Sequence, residues 1–387
     1  MNQKNIIKAV LLLAAGLLLA SCKSDDPVKE RQKAIEKLYK DGSVKIAVTN
    51  SFDQNLSKMW EGALLAQEKI NKSGKLPVKL ELVKFNDGGD TVKGMMTAYE
   101  IASNDDICAV IGHGYSDLSL SCSLIYQYYG LLTFNYISTI HTLTERNNPL
   151  IFSNMPNDTK FGEEISKICE EKGYSSVIIY YLENSAGTSL SNAFEINCSK
   201  RGINIVNRDS YDSTAESFEF ERTIKRWKNN FMFDAVFLAG RMPEIPEIIS
   251  ILRKNGINCP VLGADPFDDP LLTEQLGPEE NGRIFAVSNY DAESKHPAFK
   301  EFYSDFEKKY GEAPDQEALQ AYDAVMVLAG AIEKAGGANP TEIAKILRQQ
   351  KWAEAAGPYS FDKNGALQKR GLTQKVFTDG QFVKIHH

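Results

Sequence analysis

Between Cys108 and Ser123 an apolar run stops at Gly112-His113-Gly114-Tyr115-Ser116, and a helical pattern follows. A strand-to-helix turn ending in a hydroxyl can hold a nucleophile, cradle a phosphate or grip a small anion. Spacing argues against the first two. A nucleophile elbow needs G-x-S-x-G, and Leu118 stands where the second glycine belongs. A phosphate loop needs G-x-x-x-x-G-K-[ST], and no such lysine follows. The dinucleotide fingerprint G-x-G-x-x-G meets Asp117 in place of its third glycine. Ser116 is left at the start of a helix. Open backbone N–H groups there favour a carboxylate, or the serine simply caps the helix. The histidines are His113, His141, His296, His386 and His387. His113 lies too close along the chain to Ser116 to be an obvious triad base, so a serine hydrolase is the weakest alternative and no enzyme is expected.

The elements around this turn repeat. Residues 44–49 read as a strand, 59–71 as a helix, 78–85 as an alternating strand and 90–102 as a helix. The run ending at Ile111 is a strand, 118–129 a helix and 131–135 a strand. The order then restarts: helices over 161–172, 192–201, 220–229 and 243–255 alternate with strands over 176–182, 203–206, 234–239 and 260–264. One more strand, 283–289, precedes three helical segments at 297–310, 317–335 and 341–350. Turn signals at Asp362-Lys363-Asn364-Gly365 and Thr378-Asp379-Gly380 make the C-terminal end a β-meander. Alternating β and α elements imply parallel sheets with helices on both faces. Two such units over roughly 340 residues imply two lobes.

The N-terminus carries Lys4 and Lys8 before an apolar run from Ala9 to Ala20. The run is too short to span a bilayer comfortably and reads as a signal peptide. Leu19-Ala20-Ser21-Cys22 resembles the bacterial lipobox, so residues 1–21 would be removed and Cys22 lipidated, with the membrane met through that lipid. Residues 22–42 read as a tether with a short helix. The chain is 43% hydrophobic and 25% charged, with a net charge of −7. Losing Lys4 and Lys8 makes the remainder two charges more negative. Nucleic acid is therefore not an expected partner. Cys108, Cys122, Cys169, Cys198 and Cys259 form no C-x-x-C pair, so no metal site is expected; as an odd number they leave at least one thiol free.

Ligands of such sheets bind beyond the carboxyl ends of the strands. Ser116, Thr139, Arg241 and Asp265 all follow strand runs, which places polar side chains from both lobes around one cleft.

The stretches "WEGALLAQEKIN", "VIGHGYSDLSLSCSLIYQYYGLL", "FLAGRMPEIPEIISILRKNGI", "VLGADPF", "YGEAPDQEALQAYDAVMVLAGAI" and "GPYSFDKNGAL" occur in that order. With them, residues 43–387 resemble a type I periplasmic binding protein of the leucine/isoleucine/valine class, the solute-binding component of ABC importers. The resemblance implies an α/β protein with two doubly wound parallel-sheet lobes joined by a three-crossover hinge. Lobe 1 would take 43–155 and 290–355, and lobe 2 156–289 and 356–387. It implies capture of an amino acid or similar small polar solute for an ABC permease at the bacterial cell envelope, without a cofactor. A ligand-sensing receptor component of the same fold is the alternative.

By the same resemblance, Ser116 and Thr139 would bind the ligand carboxylate and Asp265 its ammonium. Trp60, Tyr115 and Tyr181 would wall the pocket, or pack in the core. Arg241 stands where branched-chain binders carry an aromatic, and Ala186 where another aromatic is usual. An arginine suggests an acidic or strongly polar ligand; equally, Arg241 would pair with Asp265 or Glu244 and latch the cleft. His113 is expected to be structural, and Asp268 and Asp269 to be solvated loop residues.

Overall fold

Short apolar runs separated by amphipathic helices leave this chain one economical arrangement, in which the runs pair in parallel and the helices cover both faces. The computed structural model describes residues 26–53 and 57–386. Cys22 and the leader lie outside the described residues. Among the described residues no helix is long and apolar enough to cross a membrane.

Lobe 1 is built on a five-stranded parallel sheet in the order β2-β1-β3-β4-β5. Its strands are β1 (Ser43–Asn50), β2 (Lys79–Asn86), β3 (Ile107–Ile111), β4 (Leu132–Asn135) and β5 (Ile151–Ser153). Helices α1 (Pro27–Lys40), α2 (Met59–Ser73), α3 (Thr91–Ser103) and α4 (Ser116–Tyr128) are threaded between or before them. Every residue of β3 is buried, as expected for a strand covered on both faces.

Lobe 2 contains α5 (Asp158–Lys172), β6 (Ser176–Leu182), α6 (Ser185–Lys200), β7 (Asn204–Tyr211), α7 (Ser217–Asn230), β8 (Ala235–Ala239) and α8 (Glu244–Lys254). After these come β9 (Val261–Gly263), the single-turn α9 (Pro270–Thr273) and β10 (Ile284–Ser288). The chain then returns to lobe 1 as α10 (Pro297–Tyr310), α11 (Gln316–Ala335) and α12 (Pro340–Gln349). It closes with β11 (Trp352–Glu354), β12 (Gly357–Tyr359), β13 (Thr373–Thr378) and β14 (Gln381–Lys384). The lobe 2 sheet has seven strands in the order β14-β13-β10-β9-β8-β6-β7. Its β13–β14 edge is antiparallel, closed by a hairpin with Asp379 and Gly380 at positive φ.

Three expectations need correction. The C-terminal end is not one meander. β11 and β12 form a separate two-stranded sheet, and only β13 and β14 join lobe 2. Residues 356–367, expected in lobe 2, stay on lobe 1, because Tyr359, Phe361 and Leu367 pack into its core. Asp323 on α11 fixes them there by accepting from Ala355 N, Ala356 N and the Tyr359 hydroxyl at 2.9, 2.7 and 2.6 Å. The Asp362–Gly365 turn docks on β5, where Ser153 N donates to Gly365 O at 2.9 Å. The last crossover therefore lies between Leu367 and Thr373.

The third correction concerns the tether. Residues 27–40 are a helix docked on lobe 1, with Asp26 as its N-cap and Ile35 in the core. Arg31, 1% exposed, anchors it. Its guanidinium donates to the carbonyls of Tyr129 at 3.0 Å and of Asn104 and Ile107 at 2.8 Å, and also to Ala102 O. A five-donor planar fork suits such a cluster, and an ammonium does not. Replacing Arg31 by Ala leaves these acceptors unpaired and is expected to cost roughly 2–4 kcal/mol. Arg31→Lys should recover little of it. Urea unfolding followed by circular dichroism measures both, and a shift within error for Arg31→Ala would refute the anchoring role.

Candidate ligand-binding cleft

The turn at 112–116 sits where β3 ends, and its glycines are required by what lies beside it. A Cβ at Gly114 would meet Asn50 Oδ1 at 2.2 Å, so only glycine lets the turn pack against the end of β1. His113 is fully buried. Its Nδ1 lies 2.7 Å from Asp87 Oδ2 and its Nε2 2.9 Å from the Tyr126 hydroxyl. Both nitrogens are thus engaged structurally, and His113 holds the turn.

Ser116 is the first residue of α4, whose N-cap Tyr115 supplies no side-chain bond to the first turn. The Ser116 hydroxyl pairs with Ser138 Oγ at 2.8 Å. Among the described residues no histidine pairs with it, as the base of a serine nucleophile would. Ser138 was not singled out from sequence, because a serine in a loop carries no spacing signal. Its neighbour Thr139 behaves otherwise. The Thr139 hydroxyl donates to Asp158 Oδ1 at 2.6 Å, and Asp158 N returns a bond to Thr139 O at 2.8 Å. Asp158 opens α5, so Thr139 fastens the first crossover, while Ser116 and Ser138 form the hydroxyl pair.

From lobe 2, Asp265 enters just after β9. Its Oδ1 accepts from Asn289 N at 2.8 Å, and its Oδ2 is enclosed without a partner. Burial pushes this carboxyl from the usual 3.8 up to about 7, against the pull of Asn289 N and the Gln316 amide. Asp268 is not a solvated loop residue. It forms a buried ion pair with Lys375 at 2.5 Å. Asp269 caps α9 by accepting from Leu271 N at 2.8 Å.

Arg241 does not pair with Asp265. It is 40% exposed, its Nε lies 3.8 Å from Glu244 Oε1, and its guanidinium sits 5.7 Å from the Tyr115 ring centre. A lobe 2 cation thus rests on a lobe 1 aromatic. Two further bonds cross the cleft: Ser185 N donates to Asp117 Oδ1 at 3.2 Å, and His141 Nδ1 lies 3.1 Å from Ser189 Oγ. Trp60 packs edge-on to Phe52, with Lys84 over both rings. Tyr181 lies under Arg208, 4.9 Å from its ring centre, against the α5–α6 side of the lobe 2 core. The structure brings Ser116, Tyr115 and Arg241 together across the lobes; Trp60 and Tyr181 have their own neighbours.

One acid went unnoticed in the sequence. Glu317, in the first turn of α11, accepts on Oε2 from Ser57 Oγ at 2.6 Å, the Tyr136 hydroxyl at 2.9 Å and Asn50 Nδ2 at 3.3 Å. Asn50 and Tyr136 stand at the carboxyl ends of β1 and β4, the rim that carries Ser116. Burial, with Asp315 adding, pushes the Glu317 carboxyl from 4.5 up to about 7. An acid in a helix's first turn reads as ordinary dipole complementarity, which hid it.

The profile described as periplasmic binding protein matches residues 46–381. The chain belongs to the periplasmic binding protein family. The Leu/Ile/Val-binding protein of Escherichia coli K12 is 26% identical over 341 residues, 86% of this chain and 90% of that one. An ABC transporter substrate-binding protein from Desulfitobacterium hafniense, solved in complex with Leu, superposes with a TM-score of 0.78 at 29% identity, covering 89% of this chain and 100% of that one. A solute-binding protein from R. palustris, solved in complex with benzoate, shares the fold with a TM-score of 0.78 at 16% identity, covering 89% and 96%. Solute-binding proteins of one fold thus hold unlike ligands, so the fold alone does not name the ligand here.

A raised carboxyl pKa has a definite stability signature. Asp265 folded near 7 and unfolded near 3.8 binds more protons when folded. Its favourable contribution is complete below about pH 4 and lost as pH rises through 7. The melting temperature of Asp265→Asn minus that of the ligand-free wild type should therefore climb from pH 5 to pH 8. A flat difference over that range would show that the carboxyl is not desolvated.

Proposed function

We propose that the protein captures an amino acid or a similar small polar solute between its lobes and delivers it to an ABC-type permease, anchored at the cell envelope by lipid on Cys22. The observation that carries this reading is the Asp265 carboxyl, enclosed in lobe 2 with one oxygen unpartnered, beside a cleft whose other wall offers the uncapped start of α4 and the Ser116–Ser138 hydroxyl pair. A zwitterion supplies what each side lacks. Its carboxylate takes the open N–H groups and hydroxyls. Its ammonium pairs with an acid whose burial is otherwise unfavourable. Ligand first docks on lobe 1; closure then brings Asp265 across it and excludes water. The relatives' amino-acid ligands support the same reading.

Thermal-shift screening of the purified protein against amino acids finds the ligand, since a hundredfold excess over Kd adds about 2.7 kcal/mol of apparent stability. Asp265→Asn is expected to weaken that ligand by roughly 2–5 kcal/mol, as a desolvated pair loses one charge. Pairing with the ammonium ionises Asp265, so wild type should also release protons on binding at pH 6. Calorimetry in buffers of different ionisation enthalpy reads that release. Normal binding by Asp265→Asn would remove the ammonium contact.

For the anchor, Cys22→Ser should leave the precursor uncleaved or the product soluble. Unchanged partitioning into detergent would overturn lipidation.

A further inference from the structure

We propose that Glu317 recognises a second, cationic group on the solute, so that the cleft selects amino acids with a positively charged far end. The inference rests on the amino-acid reading and adds the class of side chain.

The acids around the cleft divide into those with a fixed task and those without. Asp87 is held by His113 and Asp268 by Lys375, while Asp158 accepts from Thr139 on Oδ1 and keeps Oδ2 unpartnered at the first crossover. Asp315 caps α11, accepting from Ala318 N at 2.7 Å and Lys58 N at 2.9 Å. Asp265 and Glu317 are enclosed carboxyls at this rim with neither a cation nor a helix cap to serve. Glu317 has only neutral donors, and all three converge on Oε2. A glutamine would accept the same bonds without the cost of burying a charge. A carboxyl in that place, where an amide would serve the same donors, points to a cation that arrives with the ligand.

A single ammonium accounts for Asp265. A second desolvated acid, on the opposite lobe, calls for a second cation. The amides between the two acids are also incomplete. Asn289, 8% exposed and bonded through its N–H to Asp265, has an unpartnered Oδ1. Gln316, adjoining Glu317, has an unpartnered Nε2 close enough to act on Asp265. These are groups that a ligand rich in N–H donors, with its own carboxylate, would satisfy. Arg241, the feature that suggested an acidic ligand, lies instead beside Glu244 and on Tyr115.

The test titrates wild type and Glu317→Gln by calorimetry with L-leucine, L-glutamate, L-lysine, L-arginine, and the amines cadaverine and agmatine. Melting temperatures confirm that the variant is folded. Lysine or arginine should bind wild type best. Glu317→Gln should weaken them roughly tenfold or more, because one member of a desolvated charge pair is lost. Leucine should change by about twofold or less, well under 1 kcal/mol. Preference for leucine or glutamate in wild type would overturn the role of Glu317 and leave the amino-acid reading standing. An equal loss for every ligand would show that Glu317 only holds lobe 1 together, which also overturns the proposal. Binding of the amines alone, lost in the variant, would keep the role of Glu317 and remove the amino-acid reading. Binding of none of the six by wild type would overturn both.

Discussion

A carboxyl taken out of water must find a cation, several donors or a proton, and this requirement organises the mouth of the cleft. Parallel strands buried on both faces expose their polar chemistry only at their ends. The chain places acids at those ends in both lobes. Asp87 and Asp268 are met within the protein by His113 and Lys375, and Asp158 by Thr139 on one oxygen only. Burial pushes the Asp265 and Glu317 carboxyls up to about 7, and that of Asp323, deep in lobe 1, to about 6. Under the function proposed above, Asp265 and Glu317 are held ready for a ligand.

Rigid lobes are what make that readiness specific. His113 fixes the turn that presents Ser116, and Arg31 fastens α1 across the loops that flank α3, β3 and α4. Close helix contact adds to this. A Cβ at Gly62 on α2 would meet Ala318 O at 2.1 Å, so α11 lies tightly on α2 and its first turn is aimed without slack. Groups held this firmly lose little freedom when a ligand docks.

Contacts across the cleft are of another kind. Arg241 over Tyr115, Ser185 N on Asp117 and His141 beside Ser189 are single polar or cation–π contacts. Each is weak beside the lobe cores, so opening breaks few interactions while each lobe stays intact. Under the proposed function, closure energy then comes from the ligand, through the acids and hydroxyls it would complete.

Much of this was legible in sequence. Period-two and uninterrupted apolar runs alternating with helical spacing pointed to the parallel strands of both sheets, because burial on two faces demands uninterrupted apolar strands. The failed glycine motifs at Gly112–Ser116 argued against phosphate and dinucleotide loops, and the strand ends pointed to Ser116, Thr139, Arg241 and Asp265 as candidates. Tertiary structure alone decided which polar groups meet. The pairing of Ser116 with Ser138, the loss of the Thr139 hydroxyl to Asp158, the placement of 356–367 on lobe 1 and the three donors on Glu317 join residues far apart in sequence or without a motif. Desolvation and hydrogen-bond completion depend on what surrounds a group in space. Local spacing reports which face a side chain takes, and cannot report what stands opposite it.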